Sequence, residues 1–380
     1  MILMSLIITL IYLLLVVSFI LGFDKIEIFK LEDLANKTKF TIVIPFRNEA
    51  EHLPELLKSI ETLNYPKNLF EIVFVDDGSA DASVAIIQKV LDMSQLRRND
   101  YTEIHIISNE RKTNSPKKDA ITSAIKKAKY NWIITTDADC KLPEFWLDSF
   151  DEYIQKNNTI CISAPVAYIK TRSLLNQFQT LDFLSLQGAT IGGFGLKKPF
   201  LCNGANLAYK KSIFHAVNGF EGNNDIASGD DIFLVEKIVK KYKEQVHYLK
   251  CNQAIITTKP QATWKNLVSQ RVRWASKTSA YNNWFGKLTG LIVLVMNALV
   301  IVGLVLSIIG VLNFKTIFYI LFIKFNIDFF LIYKTALFFN QKYILKRYPY
   351  AFIIYPFFSV YVACVSMFSS YTWKDRAFKK

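Results

Sequence analysis

Residues 132–139 read WIITTDAD, a short apolar run that ends in two aspartates one residue apart. Short runs rich in β-branched and aromatic residues and closed by polar turns are typical of buried strands. The helical pattern KKDAITSAIKKAK precedes this run, and the helical pattern PEFWLDSFDEYIQ follows it. A strand between two helices favours an α/β fold with right-handed crossovers between parallel strands.

The same alternation extends along the chain from residue 39. Four further runs read as strands: FTIVIP, EIVFVDDGS, EIHIIS and TICISAPVAYI. Helical patterns lie between successive strands. One of these patterns, EAEHLPELLKSIETL, repeats leucine and isoleucine at three- and four-residue spacing. We therefore predict an α/β fold with a parallel sheet covered by helices.

Polar clusters follow three of the predicted strands, at residues 47–49 (RNE), 76–79 (DDGS) and 137–139 (DAD). In open α/β sheets, ligands bind beyond the carboxyl ends of the strands. Because these ends meet at one edge of a parallel sheet, we predict that the three clusters belong to one site.

The aspartates of these clusters suit two kinds of chemistry. Asp137 and Asp139 can share a hard divalent cation, which would take its other ligands from water and phosphate. The alternative is a solvated acidic turn. Asp76 and Asp77 either accept hydrogen bonds from a base or ribose, or close a turn before the next helix.

Two later segments add a possible base and a possible anion clamp. Asp230 and Asp231 precede the apolar run IFLVEKI, so they either stabilise a helix N-terminus or include a general base. Residues 270–274 read QRVRW. They predict either a juxtamembrane segment that contacts headgroups, or a phosphate clamp beside a flat stacking surface. The sequence has no Walker glycine loop and no GxGxxG. The groups that it does offer are carboxylates, a metal site and an anion clamp, and these suit displacement of a diphosphate leaving group.

Several apolar stretches predict membrane insertion. Residues 1–23 carry no charge and predict a transmembrane anchor. Residues 288–312 and 351–370 are each long enough to span a bilayer. We predict a C-terminal transmembrane region at 288–370 with two or three spans, followed by a basic tail at 371–380.

A further apolar stretch, 316–339, contains charged residues and leaves two possibilities open. It either spans the membrane with Lys324 and Asp328 paired, or it lies in the interface. Residues 174–200 are also ambiguous. They read either as an interfacial segment with a bend at its glycines, Gly192, Gly193 and Gly195, or as a core helix followed by a loop.

The chain has 46 lysines and arginines against 32 acidic residues, a formal charge of +14. A basic surface suits the cytoplasmic leaflet or polyanionic ligands such as nucleotides. The positive-inside rule then places residues 24–287 in the cytoplasm, in a protein integral to the plasma (inner) membrane. Five scattered cysteines without a CxxC pair argue against a disulfide framework or zinc site. Membrane lipids are expected partners, and nucleic acid is not.

Six segments occur in the order found in a known family. They are TIVIPFRNEAEHLPELLKSI, VDDGSAD, TTDADC, CNGANLAYKKSIF, SGDDIFL and QRVRW. This region resembles family 2 glycosyltransferases with the GT-A fold, and in particular the membrane-embedded branch that includes cellulose, hyaluronan and poly-N-acetylglucosamine synthases and ceramide glucosyltransferase. The resemblance implies a catalytic domain at 39–276 with a mixed, mostly parallel sheet and interfacial helices, between N- and C-terminal transmembrane helices.

The resemblance also implies roles for individual residues. Those implied to contact the nucleotide-sugar are Pro45, Arg47, Glu49, Asp76, Asp77, Lys117, Lys118, Asp137, Gln270 and Arg273. Asp137 and Asp139 would hold Mg²⁺ or Mn²⁺. Pro116 stands where the family has a glycine, so either Lys117 or Lys118 is the lysine near the diphosphate.

For catalysis, the resemblance implies that Asp231 is the general base and that Asp230 shares part of its role. Arg273 would hold the diphosphate as it leaves. The acceptor would contact Trp274, Asn203 and Gly204. Arg271 is expected to do no more than contact lipid headgroups.

The implied reaction is a single displacement that inverts the anomeric carbon. A sugar would move from a nucleotide-sugar to a lipid or glycan acceptor in the membrane or cell envelope. The resemblance implies that the nucleotide-sugar is a UDP-sugar. Two alternatives stay open: a processive polysaccharide synthase, and an inactive nucleotide-binding membrane scaffold.

Overall fold

The computed structural model describes residues 2–95, 102–224, 226–277, 280–368, 371–373 and 376–378. The chain divides into two compact units. We call Glu27–Ile169 with Cys202–Lys259 the sheet unit, and Met1–Ile26 with Lys170–Leu201 and Pro260–Lys380 the helical unit. Of the predicted basic tail, residues 374–375 and 379–380 lie outside the described residues.

The strands are β1 Phe40–Phe46, β2 Phe70–Asp76, β3 Glu103–Ser108, β4 Trp132–Thr135, β5 Cys140–Lys141, β6 Cys161–Ser163, β7 Val166–Tyr168, β8 Leu207–Lys210, β9 Val246–Tyr248, β10 Ile256–Thr258, β11 Tyr371–Trp373 and β12 Arg376–Phe378. The helices are α1 Ile2–Lys25, α2 Leu53–Glu61, α3 Ser83–Gln95, α4 Pro116–Lys127, α5 Trp146–Lys156, α6 Leu174–Gly195, α7 Lys211–Ala216, α8 Ile232–Tyr242, α9 Trp264–Ala275, α10 Trp284–Ile308, α11 Phe314–Phe338 and α12 Tyr348–Phe368.

The sheet unit is built on a seven-stranded sheet in the order β3-β2-β1-β4-β8-β6-β9. Strands β3, β2, β1 and β4 run parallel, as the alternation of strands and helices predicts. Strand β8 runs antiparallel between β4 and β6. The sheet is therefore mixed and mostly parallel, and the predicted α/β fold class is confirmed.

The central strands are apolar on both faces because helices cover them. In β1, Phe40, Ile42, Val43 and Ile44 have no exposed surface. Helix α4 packs against β1 and β2. The polar residues of the predicted site lie in the loops that follow the strands.

The run TICISAPVAYI forms two strands, whereas its pattern predicts one. Strand β6 joins the seven-stranded sheet, and β7 joins a small second sheet in the order β5-β10-β7. The break falls at Pro165, which has no N–H to donate to a ladder. Its carbonyl instead accepts the N–H of Ile256 at 3.2 Å.

Among the residues of the helical unit that the structure describes, four helices are long and apolar enough to cross a membrane: Ile2–Lys25, Trp284–Ile308, Phe314–Phe338 and Lys342–Phe368. The stretch 316–339, left open by the sequence, falls almost wholly within α11. Its lysine and aspartate are paired, as one of the two alternatives predicts, with Nζ of Lys324 2.5 Å from Oδ2 of Asp328.

Gly192 and Gly195 of α6 lie at its contact with α1. The helix runs unbroken to Gly195, so of the two readings left open for residues 174–200 the helix followed by a loop fits, and the bend at Gly192, Gly193 and Gly195 does not. A Cβ on Gly192 would stand 2.5 Å from the carbonyl oxygen of Phe19, and a Cβ on Gly195 would overlap the carbonyl of Gly22. Small residues let helices approach closely, so these glycines permit the packing of α6 on α1.

Candidate active site

The loops that follow β1 and β2 are joined by hydrogen bonds at one edge of the sheet. The N–H of Asn48 donates to Oγ of Ser79 at 3.1 Å, and the N–H of Glu49 donates to Oγ of Ser83 at 2.8 Å. Asn48 has a φ of 51°, in the left-handed region that asparagine tolerates. The structure thus brings the first two predicted clusters together.

Pro45 and Asp76 shape the backbone at this edge. Pro45 lies within β1, beside Val75 of β2. Oδ1 of Asp76 accepts the N–H of Ser79 at 2.8 Å, across Gly78, whose φ is 76°. The sequence leaves two roles open for Asp76, binding a base or ribose and closing a turn. This geometry is that of a residue that closes a turn.

The carboxylate of Asp77 is surrounded by donors. Its Oδ1 accepts from Nε of Arg111 at 2.6 Å and from Nδ2 of Asn109 at 2.7 Å. Its carbonyl accepts from Nη1 of Arg47 at 3.1 Å. Arg111 and Asn109 are not among the site residues predicted from the sequence. The signal was present, because the polar run SNERK follows β3 at the same sheet edge.

Lys117 joins three parts of the predicted site. Its Nζ lies 2.6 Å from Oδ1 of Asp137 and 3.2 Å from Oδ2 of Asp230. Burial opposes the charged form of Lys117, but the charges of Asp137, Asp230 and Asp231 outweigh it and raise its pKa. Residues at the start of α4, after β4 and before α8 therefore meet around one ammonium group.

Lys118 has a different position from its neighbour. Its side chain is 1% exposed, and its Nζ donates to the carbonyls of Asn223 at 2.7 Å and Ile226 at 2.9 Å. It also lies over the ring of Phe233. Of the two candidates, Lys117 faces the carboxylates, whereas Lys118 holds the loop that leads to α8.

Asp139 lies among like charges. Burial, followed by the charges of Asp137 and Glu49, raises the pKa of Asp139 to about 6. Oε2 of Glu49 is in turn 2.7 Å from Nδ1 of His52. Carboxylate oxygens that repel one another in this way are stabilised by a cation, and they are the ligands that Mg²⁺ and Mn²⁺ prefer. Asp137 and Asp139 therefore fit the metal that the sequence predicts.

Asp231 is oriented by two backbone N–H groups. It is the N-cap of α8, where its Oδ1 accepts the N–H of Ile232 at 2.7 Å, and its Oδ2 accepts the N–H of Gly204 at 3.1 Å. A Cβ on Gly204 would stand 2.9 Å from Oδ2 of Asp230. Oδ1 of Asn203 accepts the N–H of Ala205 at 3.0 Å. The CNG segment and the two aspartates are thus in contact.

A separate group of ligand atoms lies at the opposite ends of the strands. Within the described residues, Glu71, Glu103 and His105 each place a ligand atom within 4.8 Å of the others. These residues lie in the first half of β2 and β3. Nζ of Lys129 lies 2.7 Å from Oε2 of Glu103 and neutralises part of the charge. This group is distinct from the predicted metal site, which follows β4.

The QRVRW residues belong to the helical unit, on α9. Nε of Arg271 donates to Oδ2 of Asp182 on α6 at 2.7 Å, and the Arg271 side chain is 6% exposed. The expectation that Arg271 only contacts headgroups is therefore wrong, because a carboxylate holds it inside the unit. The roles of Gln270, Arg273 and Trp274 stay predictions.

Comparisons with known proteins bear on the family. Residues 41–217 match the sequence profile described as Glycosyl transferase family 2. The Probable glycosyltransferase YdaM of Bacillus subtilis (strain 168) is 25% identical over 252 residues, 64% of this chain and 56% of the relative. The Poly-beta-1,6-N-acetyl-D-glucosamine synthase of Staphylococcus aureus (strain COL) is 24% identical over 240 residues, 62% of this chain and 53% of the relative. The chain spans about half the length of these curated relatives.

A solved structure bears on the fold. The mannosyltransferase PcManGT from Pyrobaculum calidifontis, in complex with GDP-Man and Mn²⁺, matches with a TM-score of 0.54 and 14% identity. The match covers 96% of this chain and 96% of that chain. The predicted GT-A fold is thereby confirmed, and the resemblance to family 2 agrees with the profile match over residues 41–217.

Proposed function

We propose that the chain is an inverting glycosyltransferase that uses a nucleotide-sugar, most simply a UDP-sugar, because residues 41–217 match the family 2 glycosyltransferase profile. The observation that carries this proposal is the meeting of Lys117 with Asp137 and Asp230 at the carboxyl edge of the sheet. An ammonium group beside several carboxylates suits a site for a metal-bound diphosphate.

Asp231 is the proposed general base. The acceptor hydroxyl gives its proton to this carboxylate while its oxygen forms a bond to the anomeric carbon. The bond from that carbon to the diphosphate oxygen breaks on the opposite face, and the electron pair leaves with the nucleoside diphosphate. The two backbone N–H groups that bond Asp231 fix its direction before the acceptor arrives. Asp230 lies between this base and Lys117.

Asp137 and Asp139 would hold Mg²⁺ or Mn²⁺ in this site. When bound, the cation supplies positive charge to the diphosphate. Burial, followed by the charges of Asp137 and Glu49, raises the pKa of Asp139, and this grouping of carboxylates supports the assignment. The solved mannosyltransferase of the same fold, which holds GDP-Man and Mn²⁺, supports the class of cofactor.

The nucleoside would lie on the loops that follow β1, β2 and β3. Arg47, Asp77 and Arg111 form one hydrogen-bonded group there. The carboxylate of Asp77 is held in place by Arg111 and Asn109, so it has a fixed position beside the proposed site of the base and ribose. Glu49 and Pro45 lie at the same edge.

The proposed acceptor is a lipid or glycan of the membrane or cell envelope, with the sheet unit in the cytoplasm. The four long apolar helices and the charge of +14 support this location. A processive polysaccharide synthase is the second candidate. The relative named poly-beta-1,6-N-acetyl-D-glucosamine synthase favours it, and with it N-acetylglucosamine as the sugar.

The test uses the full chain in lipid nanodiscs with Mn²⁺ or Mg²⁺ and a panel of labelled UDP-sugars. Asp231→Asn is compared with Asp92→Asn, the same chemical change at an exposed carboxylate on α3. We expect transfer by the wild type and Asp92→Asn, and a loss of about 10²–10⁴-fold in Asp231→Asn with UDP binding retained.

The products separate the two candidates. Label in the organic phase at low mass indicates a glycolipid, and label in long chains indicates a polymer synthase. If the wild type, Asp92→Asn and Asp231→Asn all bind UDP equally and none of them transfers sugar, the chain is an inactive scaffold and the proposal is overturned.

A further inference from the structure

A buried ion pair joins α6 to α9 in the helical unit. Nε of Arg271 lies 2.7 Å from Oδ2 of Asp182, and the two side chains are 6% and 5% exposed. Removing two charges from water is costly, and such a pair adds little stability over an apolar pair of the same size. Its value therefore lies in the geometry that it imposes on its neighbours.

Arg271 contacts two other residues of the QRVRW segment, Gln270 and Trp274. Its Nη1 donates to Oε1 of Gln270. Its guanidinium carbon lies 4.2 Å from the centroid of the Trp274 ring. A planar guanidinium can do both at once, because its N–H groups point outward in its plane while its face stacks on an aromatic ring. One side chain therefore restricts the rotamers of Gln270 and Trp274.

Helix α6 contributes two more contacts from the same face. Gln179 has no exposed surface, donates to the carbonyl of Gln261 at 2.9 Å and accepts the N–H of Gln261 at 2.8 Å. The ring of Phe183 lies 6.4 Å from that of Trp274. Gln179, Asp182 and Phe183 are spaced i, i+3 and i+4, so they project from one side of α6. This side of α6 holds the chain before α9 and the last turn of α9.

We propose that Asp182 and Arg271 are positioning residues for Gln270 and Trp274. This inference rests on the proposed function and on the roles that the family resemblance implies for Gln270 and Trp274. Arg271 does not touch a substrate. It acts by holding the amide of Gln270 and the indole of Trp274 in one arrangement before the substrates bind.

The decisive variant is Arg271→Lys, measured beside Asp182→Asn. A lysine keeps the charge opposite Asp182, but it has no flat face for Trp274 and no second N–H arm for Gln270. If the pair serves only to hold α6 and α9 together, Arg271→Lys retains the wild-type rate. If it positions the two residues, kcat falls about tenfold or more although the protein stays folded.

Two controls accompany these variants in nanodiscs. Asp24→Asn removes a different ion pair of the same unit, in which Nζ of Lys334 lies 2.6 Å from Oδ1 of Asp24. Tryptophan emission supplies a readout that needs no substrate. We expect the emission of Arg271→Lys to differ from that of the wild type, and this difference to vanish when both proteins carry Trp274→Phe.

The outcomes separate the inference from the proposed function. A loss of kcat and a Trp274-dependent change of emission in Arg271→Lys, neither seen in Asp24→Asn, support positioning. A wild-type rate and wild-type emission in Arg271→Lys overturn it. If the wild type transfers no sugar, the proposed function fails, and the emission still decides whether Arg271 orders Trp274. If Asp182→Asn does not fold, Arg271→Lys decides alone.

Discussion

Lys117 of the sheet unit and Lys324 of the helical unit are both enclosed lysines, but the charges around them are balanced differently. Lys117 has Asp137 at 2.6 Å and Asp230 at 3.2 Å. Lys324 is paired with Asp328 at 2.5 Å and lies near aromatic rings of α1 and α12. The first group has an excess of negative charge, and the second is close to neutral.

This contrast separates a ligand site from a structural pair. Among the described residues, the carboxylates of Asp137 and Asp230 both lie near the one ammonium group of Lys117. Nearby, burial, followed by the charges of Asp137 and Glu49, raises the pKa of Asp139 to about 6. A metal-bound diphosphate would relieve that repulsion. Around Asp328, the hydroxyl of Tyr12 donates to Oδ1 at 2.6 Å and completes a buried polar network. A network of this kind joins α1 to α11 and needs no ligand.

The largest effect is expected for Asp139→Asn. Loss of a metal ligand removes several kcal/mol of transition-state stabilisation, so sugar transfer should fall by about 10³-fold. The unfolding temperature should stay the same or rise, because a neutral amide removes repulsion from Asp137 and Glu49. Transfer rates across a Mn²⁺ titration and thermal unfolding curves measure the two. A variant that loses stability in step with activity would place Asp139 with Lys324 as a structural residue.

Lys324→Met should show the opposite pattern. It leaves the carboxylate of Asp328 buried without its cation, which costs about 3–5 kcal/mol of unfolding free energy. The double variant Lys324→Met/Asp328→Asn should recover most of that loss. Chemical unfolding in detergent, followed by helical circular dichroism, gives the comparison. A double variant as unstable as the single one would contradict a paired role.

The pH dependence of Mn²⁺ binding tests the charge excess directly. Burial and neighbouring carboxylates raise the pKa of Asp139 to about 6, so the protonated form dominates below that pH and cannot bind metal. Affinity for Mn²⁺ should therefore be about tenfold weaker at pH 5 than at pH 7. Electron paramagnetic resonance of free Mn²⁺ measures it, with Asp139→Asn as a control whose weak binding changes less with pH. Equal affinity at both values would show that Asp139 is not a ligand.

The smallest effect is expected for Asp24→Asn. Asp24 is paired with Lys334. The side chain of Lys334 is 24% exposed and that of Asp24 is 51% exposed, so solvent screens their attraction. The unfolding free energy should change by less than about 1 kcal/mol. The same detergent unfolding experiment serves, and a loss as large as that of Lys324→Met would remove the distinction between the two pairs.

The sequence predicts the site wherever a strand pattern ends in polar residues. The ends of β1, β2 and β4 are recognisable because apolar runs stop at Arg47, Asp76 and Asp137. Strand direction then decides that these ends meet. Lys117 and Lys118 are not separable in this way, because adjacent residues on a helix differ only in the face that they occupy, and that face depends on how α4 packs.

Other features depend on contacts between distant parts of the chain. The partner of Arg271 is Asp182, 89 residues away. The glycines of α6 favour a bend when read alone, whereas the close approach of α1 gives them a packing role. Pro165 divides a strand pattern whose two halves join different sheets. In each case the local pattern is compatible with two structures, and tertiary packing decides between them.

The contact between Gly204 and Asp230 has a genetic consequence. Every codon that is one nucleotide away from glycine and changes the amino acid encodes a larger side chain. A Cβ at this position would already lie 2.9 Å from Oδ2 of Asp230 and 3.3 Å from Cβ of Asp231. Missense alleles at codon 204 would therefore displace the carboxylates of Asp230 and Asp231 without altering any reactive group. A loss-of-function screen should recover such alleles together with alleles of the two aspartates.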